Sequence, residues 1–174
     1  MIWLTEIYYA IVGFMERGGP VLPLIAILTF AMWTLIFERF WYFFTEHKVL
    51  VKEITDKWEG RPERTSWTAH QVRESLVSKA VAKINGSLPL IQTCVALAPL
   101  LGLMGTVTGM VAVFDAMANQ GGDARSMAAG VSMATIPTMA GMVASLSGVF
   151  ATTVLQRRVD FESEMLEDHL TLDH

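Results

Sequence analysis

Three long segments without a charged residue dominate the hydrophobic pattern of this chain. They cover residues 18–37, 88–114 and 126–156, which is 20, 27 and 31 residues. About 20 apolar residues suffice for a helix to cross the hydrocarbon core of a membrane, roughly 30 Å thick. The pattern therefore predicts an all-α membrane protein with three transmembrane helices, of which the second and third are long enough to extend into the cytoplasm.

Breaks and charges set the expected boundaries. Gly18-Gly19-Pro20 and Gly86-Ser87 should interrupt helices. Apolar residues recur at helical spacing from Leu155 to Leu170, so the third helix should continue into the acidic tail. We expect transmembrane helices at 18–44, 88–117 and 126–157, a cytoplasmic helical loop at 45–87, a short periplasmic loop at 118–125 and a cytoplasmic acidic tail at 158–174.

The first 17 residues form a separate pattern. Apolar side chains from Ile2 to Met15 recur at helical spacing, with Glu6 and Glu16 among the polar positions between them. The pattern predicts an amphipathic helix on the membrane surface. A helix packed against the transmembrane bundle would give the same pattern, and the sequence does not separate these alternatives.

The basic residues predict the orientation. With three spans, the 45–87 loop and the tail lie on one side, and together with Arg39 they hold 11 of the 13 Lys and Arg residues. Basic residues concentrate on the cytoplasmic side of membrane proteins. The N-terminus should therefore lie outside the cytoplasm and the C-terminus inside it.

Composition excludes several classes of function. Charged residues make up 17% of the chain, below the roughly 25% of soluble domains. Cys94 is the single cysteine, and the four histidines lie outside the charge-free segments. No nucleophile motif, phosphate loop, metal-ligand cluster or separate basic patch is visible. We therefore expect no enzymatic activity, no metal or other cofactor and no nucleic-acid partner.

The second and third spans carry faces of small and hydroxyl-bearing residues. Small residues let membrane helices approach closely, so helix packing is the simplest interpretation of these glycines and alanines. The hydroxyls could bond to their own helix, or they could line a pore. The residues assigned to helix packing are Gly102, Gly105, Gly109, Gly130, Ala134, Gly141 and Gly148. The residues of the third span assigned to the pore and proton pathway are Met133, Thr135, Pro137, Thr138 and Ser145.

Pro137 adds a polar feature to the third span. Proline lacks a backbone N–H, so the carbonyl of Met133 loses its partner within the helix. That carbonyl, with the hydroxyl of Thr135 or Thr138, could form a polar spot in the membrane. The alternative is that Pro137 only bends the helix for packing.

Two motifs and a residue pair carry a family resemblance. The strings Ala98-Pro-Leu-Leu-Gly-Leu-Met-Gly-Thr-Val-Thr-Gly-Met110 and Gly130-Val-Ser-Met-Ala-Thr-Ile-Pro-Thr-Met-Ala-Gly141 resemble the second- and third-span signatures of the ExbB/TolQ/MotA proton-channel family, most closely a short-form ExbB. Glu38-Arg39 at the end of the first span is similar, and Trp41 beside it suits a membrane interface.

The resemblance implies a stator subunit of a proton-driven motor in the bacterial inner membrane. It implies a homopentamer whose pore holds an ExbD-like single-span protein with the proton-carrying aspartate. Through a TonB-like protein, proton flow would energise outer-membrane transport. Thr106 and Thr138 match the pore-lining threonines of the family, and many relatives have a glutamate where this chain has Met133. A TolQ-like subunit and a non-conducting membrane scaffold are the alternatives.

Overall fold

A computed structural model describes residues 2–45, 47–60, 66–120 and 124–169. Within these ranges the regular structure is helical, as the sequence predicts, and no strand occurs. Among the described residues, three segments are long and apolar enough to cross a membrane, namely Val21–Thr45, Trp67–Asn119 and Met127–Asp168. The helices are α1 (Ile2–Arg17), α2 (Val21–Thr45), α3 (His47–Glu59), α4 (Trp67–Asn85), α5 (Leu88–Gln120) and α6 (Ala124–His169).

Glycine ends two of these helices where the sequence predicts a break. After α1, Gly19 has a φ of 66°. After α4, Gly86 has a φ of 40°, and its N–H donates to the Ala82 carbonyl. Glycine adopts positive φ at little cost because it has no Cβ. The loop predicted at 118–125 has its centre, residues 121–123, outside the described residues.

The chain forms two compact units. The first consists of Met1–Trp33 and Gln92–Val149, and the second of Thr34–Ile91 and Phe150–His174. In the first unit, Leu22, Ile25 and Met32 of α2 are buried, Val21 of α2 lies near Gly105 of α5, and Met32 lies against Gly148 of α6. This combination of one bulky helix and two helices with small faces allows α5 and α6 to pack closely.

The second unit has a conventional apolar core. Trp58 of α3 and Ile84 of α4 are nearly inaccessible to solvent, as are Leu155, Val159 and Leu166 of α6. The continuation of the third span as a helix is thus confirmed to His169, and Leu170 lies outside the described residues. At about 1.5 Å per residue, α6 is about 69 Å long, which is more than twice the hydrocarbon thickness of roughly 30 Å.

Most of α1 is exposed on this chain. Trp3, Leu4 and Tyr9 have more than 70% of their surface accessible, whereas Phe14 and Met15 line a cavity with residues of α2 and α6. Packing within the chain therefore involves only the end of α1. The exposed apolar side chains are available for a membrane surface, as one of the two sequence interpretations requires.

Candidate functional site

The closest helix contacts in the first unit join α5 and α6 at glycine residues. A methyl group at Gly102 would lie 3.0 Å from the carbonyl oxygen of Pro137, and one at Gly109 would lie 2.7 Å from the Cβ of Ala134. At Gly105 a methyl group would overlap the Pro137 ring. Larger side chains at these three positions would force the helices apart.

The glycines of α6 face the same interface from the other side. A methyl group at Gly141 would lie 3.2 Å from the Cα of Gly102, and Gly130 lies against Val113. Gly148 contacts both Val95 and Met32, and thus joins all three transmembrane segments of the first unit. The small-residue stripes of the sequence are therefore occupied by packing within one chain.

A proline and a serine form a matched pair across this interface. Pro99 lies inside α5 and has no N–H to donate to the carbonyl of Val95, four residues earlier. The Ser145 hydroxyl on α6 donates to that carbonyl at 3.0 Å. A neighbouring helix thus satisfies the acceptor that proline leaves without its normal partner, as an apolar environment requires.

Thr138 makes the second hydrogen bond between these helices. Its hydroxyl donates to the Gly102 carbonyl at 2.9 Å, where the absence of a side chain allows the backbones to approach. Thr138 and Ser145 lie two helical turns apart on α6, as Gly102 and Val95 do on α5. The two bonds therefore fix the register of α5 against α6.

Other hydroxyls of this region donate to their own helices. Thr106 donates to the Leu103 carbonyl at 2.7 Å, and Thr135 donates to the Ser132 carbonyl at 2.8 Å. Thr108 bonds in the same way to Met104 and Gly105. A hydroxyl has one proton but two lone pairs, so each oxygen can still accept a hydrogen bond from a partner.

The structure shows the packing role predicted for Pro137 and leaves the polar spot at the Met133 carbonyl untested. Its ring is fully buried and packs on Gly105. The Met133 side chain, by contrast, is 45% exposed. The hydroxyls of Thr138 and Thr135 bond to Gly102 and Ser132 instead of joining the Met133 carbonyl. The packing contact is thus visible, while the polar spot at Met133 stays a prediction.

The Glu38-Arg39 pair lies in the second unit, on the part of α2 nearest the end of α4. Arg39 is only 3% exposed, and its Nη2 donates to the Lys83 carbonyl at 2.7 Å. The Ser87 hydroxyl donates to Glu38 at 2.9 Å. The C-terminal carbonyls of a helix carry partial negative charge, so a guanidinium is stabilised there.

Aromatic side chains complete the surroundings of Arg39. Its guanidinium carbon lies 4.5 Å from the ring centre of Tyr42 and 5.5 Å from that of Phe43, within the range of cation–π attraction. Trp41 points elsewhere and is 74% exposed. Of the three residues expected at a membrane interface, Trp41 has the exposure of an interfacial side chain, and Arg39 is enclosed by the protein.

Sequence reasoning missed two of these arrangements. The i−4 rule for proline identified the Met133 carbonyl, and applied to Pro99 it would also have identified Val95 as an acceptor in need of a donor. The contact of Arg39 with the end of α4 had no comparable signal, because 44 residues separate Arg39 from Lys83.

The comparisons with known proteins agree with this geometry. The chain belongs to the MotA/TolQ/ExbB proton channel family, whose model matches residues 44–168 and therefore covers α3 to α6 almost completely. The resemblance read from the two motifs is thus confirmed. With three helices able to span a bilayer, the protein is a multi-pass membrane protein.

One curated relative extends the comparison. The protein named "Putative biopolymer transport protein ExbB-like 1" from Synechocystis sp. is 36% identical to this chain over 98 residues. The alignment covers 54% of this chain and 37% of that protein, so the similarity spans little more than a third of the relative's length.

Proposed function

We propose that this protein is an ExbB-like subunit that conducts protons together with a partner that carries the ionisable group. The observation that carries this proposal is the chemistry of α5 and α6. Residues 88–114 and 126–156 contain no acid, base or histidine, so these segments cannot themselves take up a proton. A proton that crosses the membrane here needs a carboxyl group from another chain.

Two threonines offer hydrogen-bond acceptors suited to such a carboxyl group. The hydroxyl protons of Thr106 and Thr135 are used within their helices, at 2.7 and 2.8 Å, which leaves their oxygens as acceptors. A protonated carboxylic acid has a hydrogen-bond donor, and an ionised carboxylate has none. The oxygens of Thr106 and Thr135 would therefore accept a hydrogen bond from the partner's carboxyl group in its protonated, neutral form. An apolar environment also favours that form.

For the full assembly we extend the proposal by what the family resemblance implies. We infer a homopentamer around an ExbD-like single-span protein, located in the bacterial inner membrane with the N-terminus periplasmic and the C-terminus cytoplasmic, that energises TonB-dependent transport. One proton crossing 100 mV releases about 2.3 kcal/mol, enough to bias a conformational equilibrium of similar size. A TolQ-like subunit would share this chemistry and differ in its partner.

A passive scaffold is less well supported. That alternative needs the small-residue faces for contacts between copies. Gly102, Gly105 and Gly141 are already in contact across the α5–α6 interface of a single chain. The acceptor oxygens of Thr106 and Thr135 then have no role in a scaffold.

Proton flux into vesicles tests the proposal. The chain is reconstituted with and without a single-span partner bearing an intramembrane aspartate, and a pH-sensitive dye is enclosed. We expect flux only with the partner and a reduced flux for Thr106→Val or Thr135→Val in an intact complex. Thr29→Val is the matched control, because Thr29 makes the same kind of bond on α2, to the Ile25 carbonyl at 2.7 Å. Absence of flux with every partner of this type would favour the scaffold.

A further inference from the structure

The first unit contains a large apolar cavity that the channel chemistry does not use. Its volume is about 840 Å³, and α1, α2 and α6 all contribute to its wall. Ala26 of α2 and Ala140 and Ala144 of α6 leave it wide because their side chains are small. The main large side chains of the lining are Phe14, Leu22, Phe30, Trp33, Met139 and Val143.

The chemistry of the lining favours a hydrocarbon ligand. Among the lining residues none is charged. The two hydroxyl groups present, on Thr29 and Ser147, donate to the carbonyls of Ile25 and Ala144 on their own helices, each at 2.7 Å. A polar ligand would lose its hydrogen bonds to water and gain little in return, so it would bind poorly here.

The length of the cavity wall indicates which hydrocarbon fits. On α2 the lining runs from Leu22 to Trp33, and on α6 from Ile136 to Ser147, eleven residue steps in each case. At about 1.5 Å per residue this is roughly 16–17 Å. Half of a hydrocarbon core that is roughly 30 Å thick is about 15 Å. The cavity therefore has the length of the acyl region of one leaflet.

A helix from a second copy is a poorer match. A transmembrane helix extends through the whole hydrocarbon core, about twice the length of this wall. The lining includes Phe14 and Met15 of α1, so it begins at the start of α2 and ends at Trp33, while α2 itself continues to Thr45. A ligand confined to one leaflet fits these limits, because it needs no contact beyond Trp33.

We propose that this cavity binds the acyl chains of a membrane phospholipid from the leaflet on the α1 side. Hydrophobic transfer contributes little, since the lipid comes from an equally apolar bilayer. Retention comes from van der Waals contact with a fixed, shaped wall. The rim residues Phe30, Met139 and Val143 are 77%, 62% and 70% exposed, so the chain itself leaves the cavity open for a lipid to enter from the side.

Lipid retention during purification tests the site. The full chain is purified in mild detergent and washed extensively, and mass spectrometry measures the phospholipid retained per chain. We expect the unmodified protein to keep phospholipid. Ala140→Phe, which places a ring in the α6 wall and narrows the cavity, should lose most of it. Ala129→Phe is the matched control, since it places the same side chain on an exposed part of α6 that does not line the cavity.

Two results of this experiment would overturn the proposal. One is equal retention in Ala140→Phe and the unmodified protein, or no retained lipid in either. The other is an Ala140→Phe protein that keeps its lipid but loses its oligomeric state, which would assign the cavity to a second copy. Proton flux is not measured in either case, so failure here is independent of the proposed channel function.

A second measurement needs no cavity variant and covers the case in which Ala140→Phe does not fold. The protein is reconstituted into vesicles of phosphatidylethanolamine and phosphatidylglycerol with a trace of phosphatidylcholine that carries a diazirine in one acyl chain. After irradiation we expect labelling of Phe30, Met139 and Val143 above that of Val107 and Leu146, which are exposed apolar residues outside the cavity. Equal labelling of both sets would mean ordinary contact with bulk lipid and would overturn the proposal.

Discussion

The hydroxyl of Ser145 on α6 donates a 3.0 Å hydrogen bond to the carbonyl of Val95 on α5, the carbonyl whose usual partner Pro99 removes. A proline in a membrane helix leaves an acceptor that water cannot reach, and a neighbouring helix has to satisfy it. Ser145, which the sequence assigned to the pore, thus bonds across the contact between two helices of one chain.

This relationship predicts a specific coupling between two substitutions. Ser145→Ala should destabilise the protein by about 0.5–1.5 kcal/mol, as hydrogen bonds between membrane helices do. In a Pro99→Ala background, residue 99 regains an N–H that can donate to the Val95 carbonyl. Ser145→Ala should then lower the free energy of unfolding by less than it does in the unmodified protein. Unfolding of the four proteins in bicelles measures this double-mutant cycle. An equal cost of Ser145→Ala in both backgrounds would show that Pro99 and Ser145 act independently.

Thr106 and Thr138 should respond differently to loss of the hydroxyl. Thr138→Val removes the bond to Gly102 and should lower stability by about 0.5–1.5 kcal/mol. Thr106→Val removes only a bond within α5 and should leave stability nearly unchanged. Both variants should assemble and support less energy-dependent uptake if the threonines line a pore. Normal growth of both on a nutrient that requires TonB-dependent uptake would contradict the pore role.

Pro137→Ala tests the polar spot predicted at Met133. The alanine restores an N–H for the Met133 carbonyl, so transport should fall while the oligomer still forms. The substitution also removes the ring contact with Gly105, and a modest loss of stability should accompany it. Pro99→Ala is the control for a restored backbone donor in the neighbouring span. Normal transport by an assembled Pro137→Ala protein would leave Pro137 with a packing role only.

Arg39 and Gly86 should be sensitive to substitution for one shared reason. Gly86 has a φ of 40°, and a side chain there would overlap the Arg39 guanidinium. Gly86→Ala should therefore lower the free energy of unfolding by more than the roughly 1–2 kcal/mol expected from backbone strain alone. Arg39→Met, which leaves the Lys83 carbonyl without this donor, should also lower the thermal midpoint. Trp41→Phe, at a 74% exposed position, serves as the control, and equal midpoints for all three variants would refute the role of this contact.

The polar contact between α4 and the acidic tail should contribute only modestly to stability and assembly. The Arg73 Nη2 donates to the Glu167 carbonyl at 2.9 Å, so a basic residue of α4 does meet the end of α6. This contact is exposed and should be worth about 0–1 kcal/mol. Deletion of residues 160–174 also removes Leu166 from the core of the second unit, which should lower stability by roughly 2–5 kcal/mol. Oligomers should nevertheless persist in size-exclusion chromatography. Complete loss of folded oligomer would assign the tail a larger role.

Much of the fold follows from the sequence by local rules. Charge-free length predicts the spans, and the breaks at Gly18-Gly19-Pro20 and Gly86-Ser87 occur where glycine and proline place them. The spacing from Leu155 to Leu166 predicts the long extension of α6, and Leu155, Val159 and Leu166, which carry that spacing, are buried. These features depend on the residue type and its near neighbours, which the sequence states directly.

Tertiary structure decided which partner each functional group received. The sequence identified Gly102 and Gly141 as small, but only the packed helices bring them within contact of each other. It placed Ser145 and Thr138 among candidate pore hydroxyls, and the register of α5 against α6 directs the hydroxyl protons of both to backbone carbonyls. Periodicity tells which residues share a face of one helix. The residue opposite depends on the offset and rotation between two helices, which side chains from both determine together.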